Sequence, residues 1–434
     1  MGDTIVTDII YTLVYVALLA FFFFRHQRQN EDRWGVGSWT LFSYILYPIV
    51  GAFWFFSYDS IYGETEPLRL FPFIYLALLE WVALYPILRY DRNDIQQIEP
   101  PTMVFLNLFA IIYFVCALVQ IPHIITNMAD GLRAIVMDSN AGADIYYESQ
   151  SEDSTYDGAI TNLTAIIFNI FSPLVFILFF YYLTLGKRYI WAEIGFGICI
   201  LIKSFYSLSN GQRTEVTMSI LNILVAYLAL KPMLSERIQR VVRRVLIVLG
   251  IAVAIPFIAL SLSRFGEREG GVLGGVVYYV GEAPYYFNDY ALDADGTRQG
   301  DRTCNVFKKL AGMNSPNGIF DVRNEYSDMK MDDSVFSTFV GDFVLDFGPI
   351  WTAIVFILFS LLFTHATRAN VPNQIPFHRL ILAYFAMSVC MQGGFYLFNY
   401  AFEANLQILA IFVFYCLFGL DYILRHNKSS MATL

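Results

Sequence analysis

Apolar runs about as long as a membrane is thick recur along almost the whole chain. A helix needs ~20 mostly apolar residues to cross the hydrocarbon core of a bilayer. Eleven runs are close to this length: 5–24, 38–57, 70–88, 103–121, 160–185, 189–208, 214–230, 245–263, 349–366, 379–397 and 402–424. The pattern predicts an all-α, polytopic integral membrane protein with about 11 transmembrane helices, and we expect residues 1–434 to form a single membrane domain.

Composition supports this interpretation and excludes several classes of function. Apolar residues make up 57% of the 434 residues and charged residues only 15%, whereas soluble proteins carry about 25% charged residues. The net charge of −9 does not favour a nucleic-acid partner, because such proteins normally carry a basic stripe. Four of the five cysteines lie in apolar runs, so neither a disulfide framework nor a zinc site is expected. The first run carries Asp3 and Asp8 and lacks a basic n-region, which is not typical of a signal peptide.

Basic residues in the linkers predict the orientation of the chain. One set of linkers contains 16 Lys and Arg residues, and the short linkers on the other side contain three: Arg69, Arg133 and Arg213. Cytoplasmic loops carry the excess of positive charge. We therefore expect the N-terminus and Arg213 at the outer face and the C-terminus in the cytoplasm.

Two long segments, 122–159 and 264–348, fall on the predicted outer side. The first is acidic, and the second holds eight Lys/Arg and fourteen Asp/Glu residues and many aromatic residues. We expect the second segment to form short amphipathic helices at the membrane surface. Because the cytoplasmic linkers are short, the protein is expected to act within the membrane or at its outer face.

Two charged residues lie well inside predicted spans. Such residues are costly in a bilayer and usually face a cavity or a partner. Glu80, near the middle of the third span, suggests either an internal ion pair or a proton relay. Lys203, about five residues from the outer end of its span, either extends its ammonium group towards the headgroups or faces a cavity.

The sequence SNGQRTE, residues 209–215, separates two strongly apolar runs. Gly211 permits a tight turn, and Thr214 or Asn210 can cap a following helix. Arg213 would then lie beside a helix N-terminus, whose free N–H groups and dipole favour an anion. A guanidinium can bind phosphate or pyrophosphate with two parallel hydrogen bonds. The alternative is a boundary arginine that pairs with Glu215.

A second group of cations opens the large outer segment, in the sequence SLSRFGEREGGVLGG, residues 261–275. Arg264 and Arg268 are four residues apart, so a helix would place them on one face, with neighbouring glutamates as local partners. The glycines that follow permit close approach of backbone to a ligand. Residues 264–348 contain no histidine, and the chain has no HExxH motif. An anion bound here would be neutralised by arginine rather than by a metal.

With these features the chain resembles the Wzy-type oligosaccharide repeat-unit polymerases, which make O-antigen and capsule. The resemblance rests on the topology and on three sequences: GQRTE at 211–215, YYVGEAPYYFNDY at 278–290 and SVFSTFVGDFVLDFGPIW at 334–351. In the last, Ser337-Thr338 and Asp346-Phe347-Gly348 are similar to the family pattern. Pro349 and the two residues after it stand where the family often has a further glycine.

The resemblance implies a membrane glycosyltransferase with a GT-C-like polymerase/ligase architecture in the bacterial inner membrane. Its substrate would be an oligosaccharide repeat unit on undecaprenyl pyrophosphate at the periplasmic face, and a chain-length regulator is a candidate partner. The reaction would need no metal or other cofactor. The leaving pyrophosphate would be stabilised electrostatically by Arg213 and Arg264.

The resemblance also suggests further site residues. Arg268 and Lys203 are candidate substrate-binding cations. Glu282 and Asp289 are candidates for accepting the proton of the attacking hydroxyl group. Residues expected to stack on sugar rings are Tyr285, Tyr286 and Tyr290. Asp346 is expected near the N-cap of the span that follows it.

Three other functions remain open at the level of the sequence. An O-antigen ligase shares the architecture but uses a histidine in its large periplasmic loop, where this chain has none. A lipid-linked oligosaccharide flippase or another transporter would suit Glu80 and Lys203, although internal repeats are not evident. A membrane acyltransferase or a non-enzymatic anchor is also open. His123, at the end of a span, is the one residue that favours the acyltransferase.

Overall fold

The computed structural model describes residues 2–62, 67–137, 159–209, 213–248, 271–316, 319–330, 335–369, 371–394 and 402–431. The helices of the first half are α1 Gly2–Gln29, α2 Val36–Tyr62, α3 Leu70–Arg92, α4 Met103–Met137, α5 Ala159–Ile170, α6 Ser172–Leu185, α7 Ile190–Ser209 and α8 Arg213–Leu230. Those of the second half are α9 236–248, α10 Gly271–Tyr286, α11 Asn305–Leu310, α12 Ile319–Glu325, α13 Thr338–Ala366, α14 Phe377–Gln392 and α15 Phe402–Met431. Two three-residue strands, β1 Gln97–Glu99 and β2 Gln374–Pro376, pair in parallel.

The all-α class is confirmed, and six helices among the described residues are long and apolar enough to cross a membrane. They lie in α1, α2, α3, α4, α13 and α15, in ranges that correspond to six of the predicted runs. A seventh candidate is the pair α5 and α6, which meets at a bend of 61° near Phe171. The molecule is therefore consistent with a membrane protein.

The predicted number of eleven spans is not reached in the described residues. Helices α7, α8 and α14 lie at the runs 189–208, 214–230 and 379–397, but they are not among the six candidates. α14 has 16 residues, and the apolar stretch Thr217–Met233, which begins within α8 and runs past its end at Leu230, is also short for a span. The predicted span 245–263 lies mostly outside the described residues.

The predicted outer segments are largely helical in the parts that are described. α4 continues to Met137, so the first part of the segment 122–159 prolongs a span. In the segment 264–348, the helices α10, α11 and α12 have 16, 6 and 7 residues. α13 then begins at Thr338, earlier than the predicted start at 349.

Contacts within the chain divide it into two compact units. The first comprises Met1–Asp94, Phe265–Arg368 and Ala386–Asn405, and the second comprises Ile95–Arg264, Ala369–Phe385 and Leu406–Leu434. In the first unit α3 packs against α13, and α10 packs against α2. In the second unit α4 packs against α5 and α7, and α6 packs against α7 and α8.

The contact between α2 and α10 depends on two glycines. A Cβ atom added to Gly51 would lie 2.2 Å from the carbonyl oxygen of Gly281, and one added to Gly281 would lie 2.2 Å from the backbone nitrogen of Gly51. No side chain fits at either position. The backbones of the two helices therefore touch, which fixes the position of α10 and of the residues that follow it.

The buried carboxyl group of Glu80 has a different partner from the one expected. Glu80 is 1% exposed, and its two oxygens lie 3.1 and 2.9 Å from the Tyr15 hydroxyl group. Among the described residues no cation pairs with it. Within this part of the chain, a neutral hydroxyl donor on α1 satisfies the carboxyl group, and the described residues do not support the expected internal ion pair.

Candidate functional site

The side chains of the three arginines proposed at the outer face lie outside the described part of the chain. Arg213 is the first residue of α8, as the turn sequence predicts, but its side chain lies outside the described part of the chain. Arg264 and Arg268 lie outside the described residues altogether. Their roles stay predictions.

Lys203 lies in the second unit, at the bend between α5 and α6. Its ammonium nitrogen is 3.3 Å from Asn169 Oδ1, and the residue is only 9% exposed. Gln407 Nε2 donates to the Asn169 carbonyl oxygen at 3.2 Å. Lys203 therefore contributes to a polar contact at a helix break and does not extend into solvent.

The aromatic residues of 278–290 have two different environments in the first unit. Tyr285 is 1% exposed, stacks on Phe55 at a centroid distance of 5.1 Å and donates to the Pro48 carbonyl oxygen at 2.9 Å. No face of its ring is open to a sugar, so Tyr285 acts in packing. Tyr286 and Tyr290 are half-buried, with ring centroids 4.9 Å apart.

Asp289 lies in a π-helical turn, Phe287–Ala291, directly after α10. The residue is 7% exposed. Arg69 Nη2 donates to the carbonyl oxygens of Asn288 and Asp289 at 3.0 and 2.8 Å, and Asn288 forms two further hydrogen bonds with the Arg69 backbone. Arg69, which the sequence predicts at the outer face, thus binds the backbone of this turn and thereby positions Asp289.

Glu282 is the more unusual of the two predicted carboxyl groups. It is 2% exposed and accepts a hydrogen bond from the Phe336 backbone N–H at 3.3 Å. Burial raises the pKa of Glu282 to about 8, although hydrogen bonds from Tyr278 and from the Phe336 N–H act in the opposite direction. A carboxyl group with such a pKa is close to the value at which a general base works best near neutral pH.

The backbone beside Glu282 is strained. Thr338, the first residue of α13, has a φ angle of 67° and is fully buried. A β-branched residue rarely adopts a positive φ angle, and such strain is concentrated at functional sites. Thr338 belongs to the Ser337-Thr338 pair, which carries part of the family resemblance. Its unfavourable backbone conformation lies two residues after Phe336, whose N–H binds Glu282.

Asp346 has a different role from the N-cap that the sequence suggests. α13 is interrupted at Gly348, which has a φ angle of 76°, so the expected break at Asp-Phe-Gly is present. Asp346, however, accepts hydrogen bonds from Arg298 Nε and from the Thr303 backbone N–H, both at 2.7 Å. Its carboxylate shapes the outer segment, as the sequence suggests, but it does so by binding Arg298 and Thr303 and not as the N-cap of the helix after Gly348.

Four buried charged residues form what we call the arginine–aspartate cluster: Arg298, Arg302, Asp342 and Asp346. Arg298 Nη2 donates to the Asp342 carbonyl oxygen at 3.0 Å, and Arg302 Nη1 lies 3.4 Å from Asp342 Oδ1. Arg298, Asp342 and Asp346 are at most 5% exposed. Two positive and two negative charges balance, which is how proteins tolerate buried charge. The cluster fixes the segment around 298–303 on α13.

The spacing of charged residues in the sequence contains a signal for this cluster, and this signal is separate from the anion-binding motifs. The two arginines are four residues apart, and so are the two aspartates. Residues at this spacing share one face of a helix. Matching pairs of opposite charge within one outer segment could therefore have indicated an internal ionic contact.

No protein-family model, no curated protein and no solved structure matches this chain. The membrane character of the chain thus rests on its apolar helices, and its function is argued from the residues alone.

The pKa of Glu282 leads to a first prediction. The pKa is raised from 4.5 to about 8 in the folded protein, so between these pH values the unfolded state releases a proton that the folded state retains. Stability should fall by up to about 1.4 kcal/mol per pH unit over this range. Glu282→Gln should make this slope shallower by the share that Glu282 contributes, in thermal unfolding of the detergent-solubilised protein, whereas Glu325→Gln, at an exposed residue, should keep the full slope. Equal slopes in both variants would contradict the shift.

Proposed function

We propose that the protein polymerises undecaprenyl-pyrophosphate-linked oligosaccharide repeat units into a surface polysaccharide, O-antigen or capsule. It does so at the periplasmic face of the bacterial inner membrane, with its N-terminus in the periplasm and its C-terminus in the cytoplasm. The observation that carries the proposal is the position of Arg213 as the first residue of α8. Free backbone N–H groups at a helix start form a site for phosphate, and an arginine at that point adds charge and two donors.

The reaction is a metal-independent glycosyl transfer. The hydroxyl oxygen of the acceptor unit forms a bond to the anomeric carbon of the donor glycan, and the bond between this carbon and the pyrophosphate oxygen breaks. Negative charge develops on the leaving undecaprenyl pyrophosphate, where Arg213 and Arg264 stabilise it; Arg268 and Lys203 are further candidate cations. The proton of the acceptor hydroxyl group passes to a carboxylate.

Two features of the first unit support this assignment. Glu282 is buried and has a raised pKa, which suits a group that takes a proton near neutral pH. Half-buried Tyr286 and Tyr290 present aromatic rings next to the turn that holds Asp289. The arginine–aspartate cluster has a positioning role, because its charges are used within the protein.

A flippase for lipid-linked oligosaccharides is the second candidate, favoured by the broken helix pair. Discontinuous membrane helices with polar groups at the break are typical of transporter binding sites. The bend of 61° between α5 and α6 and the buried contact between Lys203 and Asn169 have these properties. A ligase is a less suitable candidate, because residues 264–348 lack a histidine.

The leaflet in which substrate accumulates separates these functions. Cells that lack the protein should hold single repeat units on the lipid carrier in the periplasmic leaflet, where an added soluble glycosidase or a lectin can reach them. The expected surface material is a single repeat unit in place of a ladder. Accumulation in the cytoplasmic leaflet would identify a flippase, and a normal ladder that is no longer attached to its final acceptor would identify a ligase.

A further inference from the structure

A short helix in the outer segment of the first unit exposes a large apolar surface. α11 covers Asn305–Leu310, and its first turn is anchored by the buried Val306. Phe307, Leu310 and Met313 are 38%, 71% and 57% exposed. Since residues three apart lie on one helix face, Phe307 and Leu310 form a continuous apolar face, which Met313 extends beyond the end of the helix.

The end of α11 is a regular capping motif with one departure. Gly312 has a φ angle of 75°, its N–H donates to the Lys309 carbonyl oxygen at 3.0 Å, and the Met313 N–H donates to the Lys308 carbonyl oxygen at 2.9 Å. In this motif the residue after the glycine often packs its apolar side chain on the helix. Met313 is more than half exposed instead, so its side chain can contact an apolar surface outside the helix.

Hydrogen bonds fix the conformation of this region. The Asp301 carboxylate accepts from Ser315 Oγ at 2.7 Å, from the Tyr326 hydroxyl group at 2.6 Å and from the Lys308 ammonium group. Burial raises the pKa of Asp301, but these donors outweigh it and lower the pKa, so the carboxylate stays charged. Asn305 Nδ2 donates to Ser315 Oγ at 2.8 Å. The apolar face therefore belongs to a defined structure.

α11 is also connected to two candidate membrane spans, Thr338–Ala366 and Glu403–Asn427. Asn405 accepts from the Val306 N–H at 3.2 Å and donates to the Thr303 carbonyl oxygen at 3.1 Å, and it lies two residues into the candidate span Glu403–Asn427. Thr303 in turn donates to Asp346, shortly before the helix break in α13. These contacts set the level of α11 near the end of the membrane-spanning helices.

The residues just after the break in α13 are exposed and apolar. Ile350 and Trp351 are 75% and 63% exposed, and tryptophan is enriched at the interface between membrane and water. The chain just before α11 is thus bonded, through Thr303 and Asp346, to the part of α13 that directly precedes these exposed apolar residues. The last turn of α11 carries Lys308 and Lys309, and basic residues suit the phosphates of lipid headgroups.

We propose that residues 305–313, which we call the 305–313 segment, lie in the headgroup region of the adjoining bilayer leaflet. Phe307, Leu310 and Met313 reach the upper acyl chains, and Lys309 lies near the lipid phosphates. The segment therefore attaches the outer part of the first unit to the membrane surface. This inference requires a membrane-spanning chain but does not depend on glycosyl transfer.

The test is a depth measurement on the full-length protein in nanodiscs of phosphatidylethanolamine and phosphatidylglycerol. A spin label is attached at Leu310→Cys, in a chain whose exposed Cys416 is changed to Ser. Asp321→Cys in α12, an exposed residue of the same outer segment, is the matched control. The Cys416→Ser chain without a new cysteine gives the background from the half-buried Cys304.

Collision with oxygen, which partitions into lipid, is compared with collision with a water-soluble nickel chelate. At Leu310 oxygen collisions should dominate, at a depth of about 5–10 Å, and at Asp321 nickel collisions should dominate. Nickel dominance at Leu310 would overturn the proposal, because the face would then be in water. Low access for both reagents would also overturn it, because a protein partner or a second copy would then cover the face. Met313→Cys gives the same comparison if Leu310→Cys does not fold.

Discussion

Arg213→Ala should reduce the surface glycan from a ladder of polymers to single repeat units while the protein remains in the membrane. The physical reason is the loss of a preorganised donor at the leaving pyrophosphate, which at comparable sites lowers the rate by about 10²–10³-fold. The measurement is gel separation of surface glycan from the native host, with membrane levels of the protein determined by immunoblotting. Arg237→Ala removes an exposed arginine from α9 and should leave the ladder intact.

Arg213→Lys separates charge from geometry. A ladder close to normal would mean that positive charge is sufficient, and a collapsed ladder would indicate the bidentate contact that only a guanidinium makes. If the full ladder persists in Arg213→Ala, Arg213 is a boundary residue and the proposed pyrophosphate site is wrong. Arg264→Ala in the same series tests the second proposed cation.

Arg298→Ala should destabilise the first unit more than any other single substitution in the arginine–aspartate cluster. Asp346, which is fully buried, would lose the cation of its 2.7 Å ion pair, and Asp342 would keep only Arg302. An uncompensated buried charge costs about 3–5 kcal/mol. Thermal unfolding and the yield of folded protein in detergent are the measurements. Lys330→Ala, in the same outer segment and half exposed with two surface aspartates as partners, should have little effect.

A double substitution distinguishes ionic pairing from simple packing. Arg298→Met combined with Asp346→Leu removes both charges of the 2.7 Å contact, and it should recover part of the stability that Arg298→Ala loses, because desolvation of the pair is also removed. A double variant less stable than Arg298→Ala would show that the hydrogen bond from the Thr303 N–H to Asp346, which only the double variant loses, outweighs the removal of desolvation.

The helices could be predicted from sequence because their apolar runs are long, and the break at Gly348 could be predicted because Pro follows Gly directly. The number of spans could not, because a run such as 379–397 includes Gly393 and Gly394, and α14 ends at Gln392. Hydropathy reports how apolar a stretch of residues is, but it does not show where a helix ends.

The candidate site was predicted only in part, and the reason is burial. Glu282 and Tyr285 lie three residues apart in one aromatic sequence, and both are buried. Burial raises the pKa of Glu282, whereas it encloses Tyr285 between Phe55 and Phe73. Sequence shows that the residues are polar or aromatic, but tertiary packing decides the environment of each. The arginine–aspartate cluster was missed for the same reason, since each charge is ordinary until its partner is placed beside it.

The touching backbones of Gly51 and Gly281 have a consequence for biogenesis. About 230 residues separate the two glycines, and synthesis at about 5–20 residues per second leaves roughly 10–50 s between their appearances. During that interval α2 is already made while the helix that covers its glycine is not. In the nascent chain, the face of α2 that carries Gly51 must therefore stay uncovered until α10 has been made. Until then, this face can contact insertases or other helices of the same chain.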